Sequence, residues 1–278
     1  MTFDLAIALK LANFANDAYS TMNNVGNPKA TPLTLPGYTI VEALYANDLW
    51  DDNPDFVPYG FIAKSVAMPT ELIVAIRGTQ EFAEWIDDGN FVKDSCPFAP
   101  KASIEAGFAN IYNSLAIAPT VSAKKAKDVI LNLANTLDND VTLRITGHSL
   151  GSALATLLAG DLAANGCKPA PQIYTFASPL VGDAMFARIF NNLNLDSWRI
   201  DNTPDWVPNL PPATMGYMHV DAVHPIDSTK VASSDPLCCH SLNTYMHMLD
   251  KSITLNAGCV FHEGAPTPFG DGPPGQRG

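Results

Sequence analysis

The chain has 278 residues, a formal net charge of −12, 47% hydrophobic residues and 16% charged ones. That composition is globular rather than disordered, and the length suits one α/β domain with a sizeable core or two small ones. The acidic balance argues against nucleic acid as a partner and against electrostatic docking on anionic lipid, while contact with neutral fat stays open.

The first residues do not read as a signal peptide, because Asp4 is the first charge and Lys10 interrupts the apolar stretch. A cytoplasmic chain and a mature secreted one both fit this start. Ile7, Leu11 and Phe14 fall at i, i+4 and i+7, which predicts an amphipathic helix laid on the domain. Strands are expected at 59–64 and 71–77. Phe82, Trp85 and Ile86 follow at i, i+3 and i+4, one face of a short helix whose other face carries Glu81, Glu84, Asp87 and Asp88. Helices are expected at 107–115 and 123–136, a strand at 141–146, and a helix at 152–165. A strand at 172–176, a helix at 183–193 and a strand at 198–201 complete the alternation. Strands alternating with helices imply a largely parallel sheet covered on both faces. The segment 202–212 is Pro-rich and predicts a loop. Five Gly and four Pro between 264 and 278 predict a flexible tail after one domain spanning 1–263. No apolar run reaches transmembrane length.

The cysteines are Cys96, Cys167, Cys238, Cys239 and Cys259, an odd number with no C-x-x-C. A structural zinc site is therefore not expected. Small buried thiols are the favoured reading, with one disulfide from Cys238 or Cys239 to Cys259 as the alternative.

Gly147-His148-Ser149-Leu150-Gly151 is G-x-S-x-G between a β-branched run and an Ala/Leu-rich helix. Strand, sharp turn and helix form the context of a nucleophile elbow, which exposes a Ser hydroxyl to a base. Gly147 and Gly151 would let the strand and helix backbones pass closely. The helix start would aim free N–H groups at a reacting carbonyl. Such a Ser needs a His, and the His a carboxylate. His148 sits beside the nucleophile, so its side chain should point elsewhere. His219, His224, His240, His247 and His262 all follow Ser149, and chain order does not choose among them.

Four blocks together make the chain resemble the fungal-type, or class 3, lipases, a branch of the α/β-hydrolase fold. They are Arg77-Gly78-Thr79 with the Phe82–Trp85–Ile86 helix, the segment Thr146 through Ala155, Thr175-Phe176-Ala177-Ser178-Pro179-Leu180-Val181-Gly182, and Asp205-Trp206-Val207-Pro208-Asn209-Leu210-Pro211-Pro212. The resemblance implies an α/β-hydrolase fold, with a mostly parallel sheet, helices on both faces and a short helical lid. It carries the nucleophile onto Ser149, the acid onto Asp205 (with Asp201 as runner-up) and the base onto His240, 35 residues later. It also carries the oxyanion donors onto Thr79 and Leu150, and the lid onto Phe82, Trp85 and Ile86. His219 resembles a family position that is structural, while His247 lies in the terminal helix pattern as a surface or packing residue. Ala177, Leu180 and Asp183 depart from a family Gly, Arg and Asn.

The function implied is serine carboxylic-ester hydrolysis, best read as a triacylglycerol lipase. Other esters (short acyl, phospholipid or feruloyl) are one alternative, and a non-catalytic lipid-binding relative is another. An ester or lipid substrate at a lipid–water interface is the expected partner. No cofactor or metal is implied, and the oligomeric state is left open.

Overall fold

A computed structural model describes residues 2–24, 27, 29, 35–47, 56–79, 91–137, 141–220 and 222–261. The expected lid residues Phe82, Trp85 and Ile86, the expected tail 264–278, and His262 all lie outside the described residues.

The chain opens with helix α1 (Leu5–Asn23), capped by the Asp4 carboxylate, which accepts the Ala6 and Ile7 N–H groups at 2.9 and 3.0 Å. Strands β1 (Tyr38–Asn47), β2 (Phe56–Ser65) and β3 (Glu71–Ile76) form an antiparallel run. β6 (Thr142–His148), β7 (Gln172–Phe176), β9 (Asp196–Asn202) and β11 (Val223–Ile226) extend it from β3 as parallel neighbours. The seven-stranded order is β1-β2-β3-β6-β7-β9-β11. A second sheet, in the order β10-β8-β5-β4, joins β4 (Lys93–Cys96), β5 (Ala99–Glu105), β8 (Gly182–Asp183) and β10 (Tyr217–Met218). Helices α2 (Ala106–Ser114), α3 (Ala126–Thr136), α4 (Leu150–Ala164) and α5 (Ala184–Asn191) match the four expected between strands, with shifted ends. The chain closes with α6 (Pro236–His240) and α7 (Leu242–Leu249).

β3 reads Glu-Leu-Ile-Val-Ala-Ile and is buried at every position, as a strand covered on both faces requires. Its side chains divide by the two-residue period. Leu72, Val74 and Ile76 join the core under α2, α3, α4 and α5, while Ile73 and Ala75 join the core under α1 and α7. Each of the Leu, Ile and Val side chains contributes about 1.5–3 kcal/mol on burial. α4 is apolar almost all round and buried from Leu150 to Leu162, so the helix that carries the elbow is fixed on all sides.

Cys238 is bridged to Cys259, which corrects the favoured all-thiol reading; Cys96 and Cys239 are buried free thiols and Cys167 a half-buried one. The bridge closes a loop of about twenty residues, a constraint worth about 3 kcal/mol in a chain-entropy account. It ties the segment around Cys259 to α6, whose last residue is His240. Among the described residues, no helix is long and apolar enough to cross a membrane.

Candidate active site

All parallel strands point their C-terminal ends to one side, and the site is built there. β6 ends at His148, and Ser149 turns into α4 with φ 59° and ψ −130°. A non-glycine residue with positive φ is costly, and it holds because its surroundings allow little else. A Cβ on Gly147 would fall 2.2 Å from the Gly151 carbonyl oxygen, and one on Gly151 would fall 2.3 Å from that of Ile76. Both glycines are therefore required by close backbone approach. The Ser149 N–H is taken by the Phe176 carbonyl at 3.0 Å, which anchors the turn to the end of β7.

Asp205 lies just past β9, in the Pro-rich loop. One carboxylate oxygen accepts the Val207 N–H at 3.0 Å; the other lies 2.9 Å from His240 Nδ1 and accepts the Tyr245 hydroxyl at 2.7 Å. Burial works to raise this carboxyl, but the His240, Tyr245 and Val207 contacts outweigh it and hold the group below the usual carboxylate range. An ionised carboxylate only accepts, so His240 Nδ1 carries the proton. His240 Nε2 then presents its lone pair to Ser149 Oγ, 2.9 Å away. The structure thus brings Ser149, His240 and Asp205 into one hydrogen-bonded line.

Asp201, the runner-up acid, pairs instead with Arg199 at 2.5 Å, and burial raises its carboxyl. His219 bonds the Pro208 carbonyl, His247 the Ile253 carbonyl, and His224 stacks on Phe3 with ring centroids 3.7 Å apart. Each has a packing or bracing partner away from Ser149.

Thr79 is buried and follows β3 through Arg77 and Gly78. Arg77, fully buried, spans this turn: its Nε donates to the Pro58 carbonyl and its Nη1 to that of Gly78, both at 2.7 Å. A Cβ on Gly78 would sit 3.0 Å from Ser149 Cβ, so the chain entering Thr79 runs against the elbow. Leu150, the first residue of α4, is buried on the other side of Ser149. Both expected oxyanion donors therefore lie in segments packed against Ser149.

Three further residues brace the site. Tyr245 donates to Asp205 and accepts the Asn202 N–H at 3.1 Å. Asn202, at the end of β9, donates to the Cys239 carbonyl at 2.9 Å and so holds the turn before His240. Tyr19, near the end of α1, stands 2.8 Å from His148 Nδ1. The amphipathic spacing announces α1 but not this use of it.

The sequence profile described as Lipase (class 3) matches residues 73–215, just over half the chain. The chain belongs to the class 3 lipase family. Among curated relatives, the rice phospholipase A1-II 1 (Oryza sativa subsp. indica) is 30% identical over 250 residues, covering 81% of this chain and 62% of that protein. The secreted mono- and diacylglycerol lipase 1 of Fusarium solani is 29% identical over 175 residues, covering 60% of this chain and 49% of its own length. This chain thus spans less than two thirds of these relatives. The crystal structure of a lipase from Rhizopus microsporus var. chinensis superposes with a TM-score of 0.66 at 26% identity, covering 81% of this chain and 76% of that one. The fold is the α/β-hydrolase fold of the fungal lipases.

Ala177, which the family resemblance marked as a departure from Gly, has φ 53°. The departure falls at a backbone position that favours glycine.

Proposed function

We propose that this class 3 lipase is a serine carboxylic-ester hydrolase acting on acylglycerols. One observation carries the reading: a strained Ser149 with its Oγ 2.9 Å from His240 Nε2, while Nδ1 of the same ring is held 2.9 Å from a buried Asp205 carboxylate. Packing alone does not call for a positive φ at a serine whose hydroxyl meets an imidazole.

In the proposed reaction, Ser149 Oγ attacks the ester carbonyl while His240 Nε2 takes its proton. Asp205 keeps the ring in the Nδ1–H tautomer and stabilises the imidazolium. The backbone N–H of Leu150, together with Thr79, holds the developing oxyanion, with the positive end of α4 behind it. The tetrahedral intermediate collapses, His240 gives its proton to the leaving alcohol, and water activated by His240 releases the acid from the acyl-enzyme. The helix expected through Phe82, Trp85 and Ile86 would cover Ser149 in water and open on lipid.

A second reading, cleavage of an ester bond in a phospholipid, draws on the rice relative and its name. Fluorophosphonate labelling, lost in Ser149→Ala, tests the chemistry. An unlabelled but folded wild type would refute it, leaving the lipid-binding alternative. Emulsified triacylglycerol, diacylglycerol and phospholipid, with Ser149→Ala as blank, decide the substrate. A rate that jumps at the solubility limit of a short-chain triacylglycerol supports the lid, and a smooth hyperbola removes it.

A further inference from the structure

Tyr19 and His148 lie between two parts of the site, and the reaction above uses neither. The Tyr19 hydroxyl is 2.8 Å from His148 Nδ1 and packs against Gly78. His148 Nε2 is 2.9 Å from the carbonyl oxygen of His240. A carbonyl only accepts, so Nε2 carries the His148 proton, and its Nδ1 lone pair takes the Tyr19 O–H. A directional chain results: Tyr19 O–H to His148 Nδ1, and His148 Nε2–H to the His240 carbonyl. At its Tyr19 end the chain meets the oxyanion segment by close packing. A Cβ on Gly78 would lie 2.7 Å from Tyr19 Oη and 2.9 Å from the His148 carbonyl oxygen, so hydroxyl, strand end and elbow are in contact.

We propose that Tyr19 and His148 are positioning residues, a neutral brace packed on the oxyanion segment at Gly78-Thr79 and hydrogen-bonded to the backbone of the base His240, which holds the two at one fixed spacing. The proposal rests on the ester-hydrolase reading. Ser149 is attached between the two anchored segments, so the brace sets where its hydroxyl stands relative to base and oxyanion donors at once. An error of about 1 Å in such an alignment costs about a hundredfold in rate. α1 thereby has a role in the site beyond covering the sheet.

The brace must also be uncharged. The His148 and His240 rings are 4.7 Å apart, and a cation at His148 would oppose the imidazolium that forms on His240. Burial, with the neighbouring His240, pushes the His148 imidazole down to about 3. The groups facing it are Tyr19 from α1, Tyr245 from α7, His240 at the end of α6, and Asp205 beyond His240. Burial raises the Tyr19 phenol to about 12, so it too stays neutral.

Tyr19→Phe keeps the ring and removes one link. The expected result is a kcat lowered about tenfold on a soluble nitrophenyl ester, with KM and the thermal midpoint unchanged, and an equal drop in the fluorophosphonate labelling rate. His148→Gln, whose amide can still donate to the His240 carbonyl, should keep more activity than His148→Leu. The double variant Tyr19→Phe/His148→Leu should be no slower than His148→Leu alone, because a chain is broken once. A Tyr19→Phe enzyme within twofold of the parent kcat overturns the proposal, as does a kcat loss that merely follows a loss of folded protein. Nitrogen NMR of the wild type supplies an arm that needs no variant to fold. A neutral Nε2–H tautomer of His148 persisting from pH 8 to 5 is expected; protonation in that range, or a proton on Nδ1, overturns the brace. A wild type that no fluorophosphonate labels fails the hydrolase reading and the catalytic role with it. The tautomer would still be readable, so the two failures are separable.

Discussion

The two ends of the parallel strands each hold a buried polar cluster, and the clusters are built on opposite plans. At the starting end, Glu71 opens β3 and meets Lys10 of α1 at 2.6 Å, Arg144 of β6, and the Tyr38 hydroxyl at 2.5 Å. One carboxylate faces two cations, and Glu71 is 2% exposed. At the finishing end, the buried carboxylate of Asp205 faces a histidine ring, a phenol and a backbone N–H, and a second histidine lies behind the first. The starting end fixes its charges in permanent pairs. The finishing end keeps one negative charge beside a ring that can accept a positive one, which is what the proposed proton transfer from Ser149 requires. Backbone strain follows the same division in β6 and β7: Ser149 (φ 59°) and Ala177 (φ 53°) both lie just past their C-terminal ends. Asn194, in the turn before β9, has φ 51°, but asparagine tolerates that conformation. Stability should therefore be vulnerable at one end and activity at the other.

The sharpest break in that division is Asp205→Asn. It preserves shape but lets the ring take the wrong tautomer, and kcat should fall about 10⁴-fold with the fold retained. Steady-state kinetics beside circular dichroism measure both. A fall of less than tenfold would mean that Asp205 does not orient His240.

Glu71→Gln tests the other end. Burial works to raise the Glu71 carboxyl, but Lys10, Tyr38 and Arg144 outweigh it and hold it below its ordinary value. A folded pKa below the unfolded one, near 4.3, means stabilisation fully present above that pH and lost as pH falls through the folded value. The variant should lose about 2 kcal/mol at pH 7, less than an enclosed pair would cost because Lys10 and Arg144 reach solvent. Denaturant unfolding at pH 7 and at pH 3.5 should show the gap to the parent narrowing with acid. The rate per folded molecule should not change, and a lowered kcat in intact protein would dissolve the distinction between the ends.

These two residues also show what the sequence made legible. Asp205 was readable because its motif is contiguous, as were the elbow and β3, whose apolar run fits burial on both faces. Glu71 was read only as the first residue of a strand, since its partners come from three distant segments. The second sheet was missed for local reasons: β4 reads Lys-Asp-Ser-Cys and is mostly exposed, and β8 and β10 have two residues each. β1 was missed because Glu42, Ala43 and Leu44 suit a helix as well as a strand. Asn202 and Tyr19 act through hydrogen bonds to residues 26 to 129 positions away, and no spacing rule announces such contacts.

Tyr245→Phe sharpens the comparison within the finishing end. Asp205 would lose one of the hydrogen bonds that hold it ionised while keeping His240 and Val207. A hydrogen bond to a charged group contributes about 1.5–3 kcal/mol. A tenfold or greater fall in kcat at unchanged KM is expected on a nitrophenyl ester. Equal losses in stability and none in kcat would reassign the tyrosine to packing.

Ala177→Gly carries the smallest expected effect and asks whether the second strained residue is compensated. A left-handed alanine costs about 1–2 kcal/mol, which glycine would recover. Against that, Ala177 is fully buried, and its methyl contributes about 0.8 kcal/mol on burial. Glycine also frees the unfolded chain, at about 0.4–1 kcal/mol. The terms nearly cancel, so the thermal midpoint should move by less than about 2 °C and kcat by less than twofold. Cancellation explains how alanine can hold a left-handed backbone beside the Ser149 turn. A midpoint raised by about 4 °C or more would show uncompensated strain next to Ser149, held in place by the Ala177 N–H bond to the Ile200 carbonyl. Strain at the finishing end would then extend beyond the nucleophile to the strand that supports it.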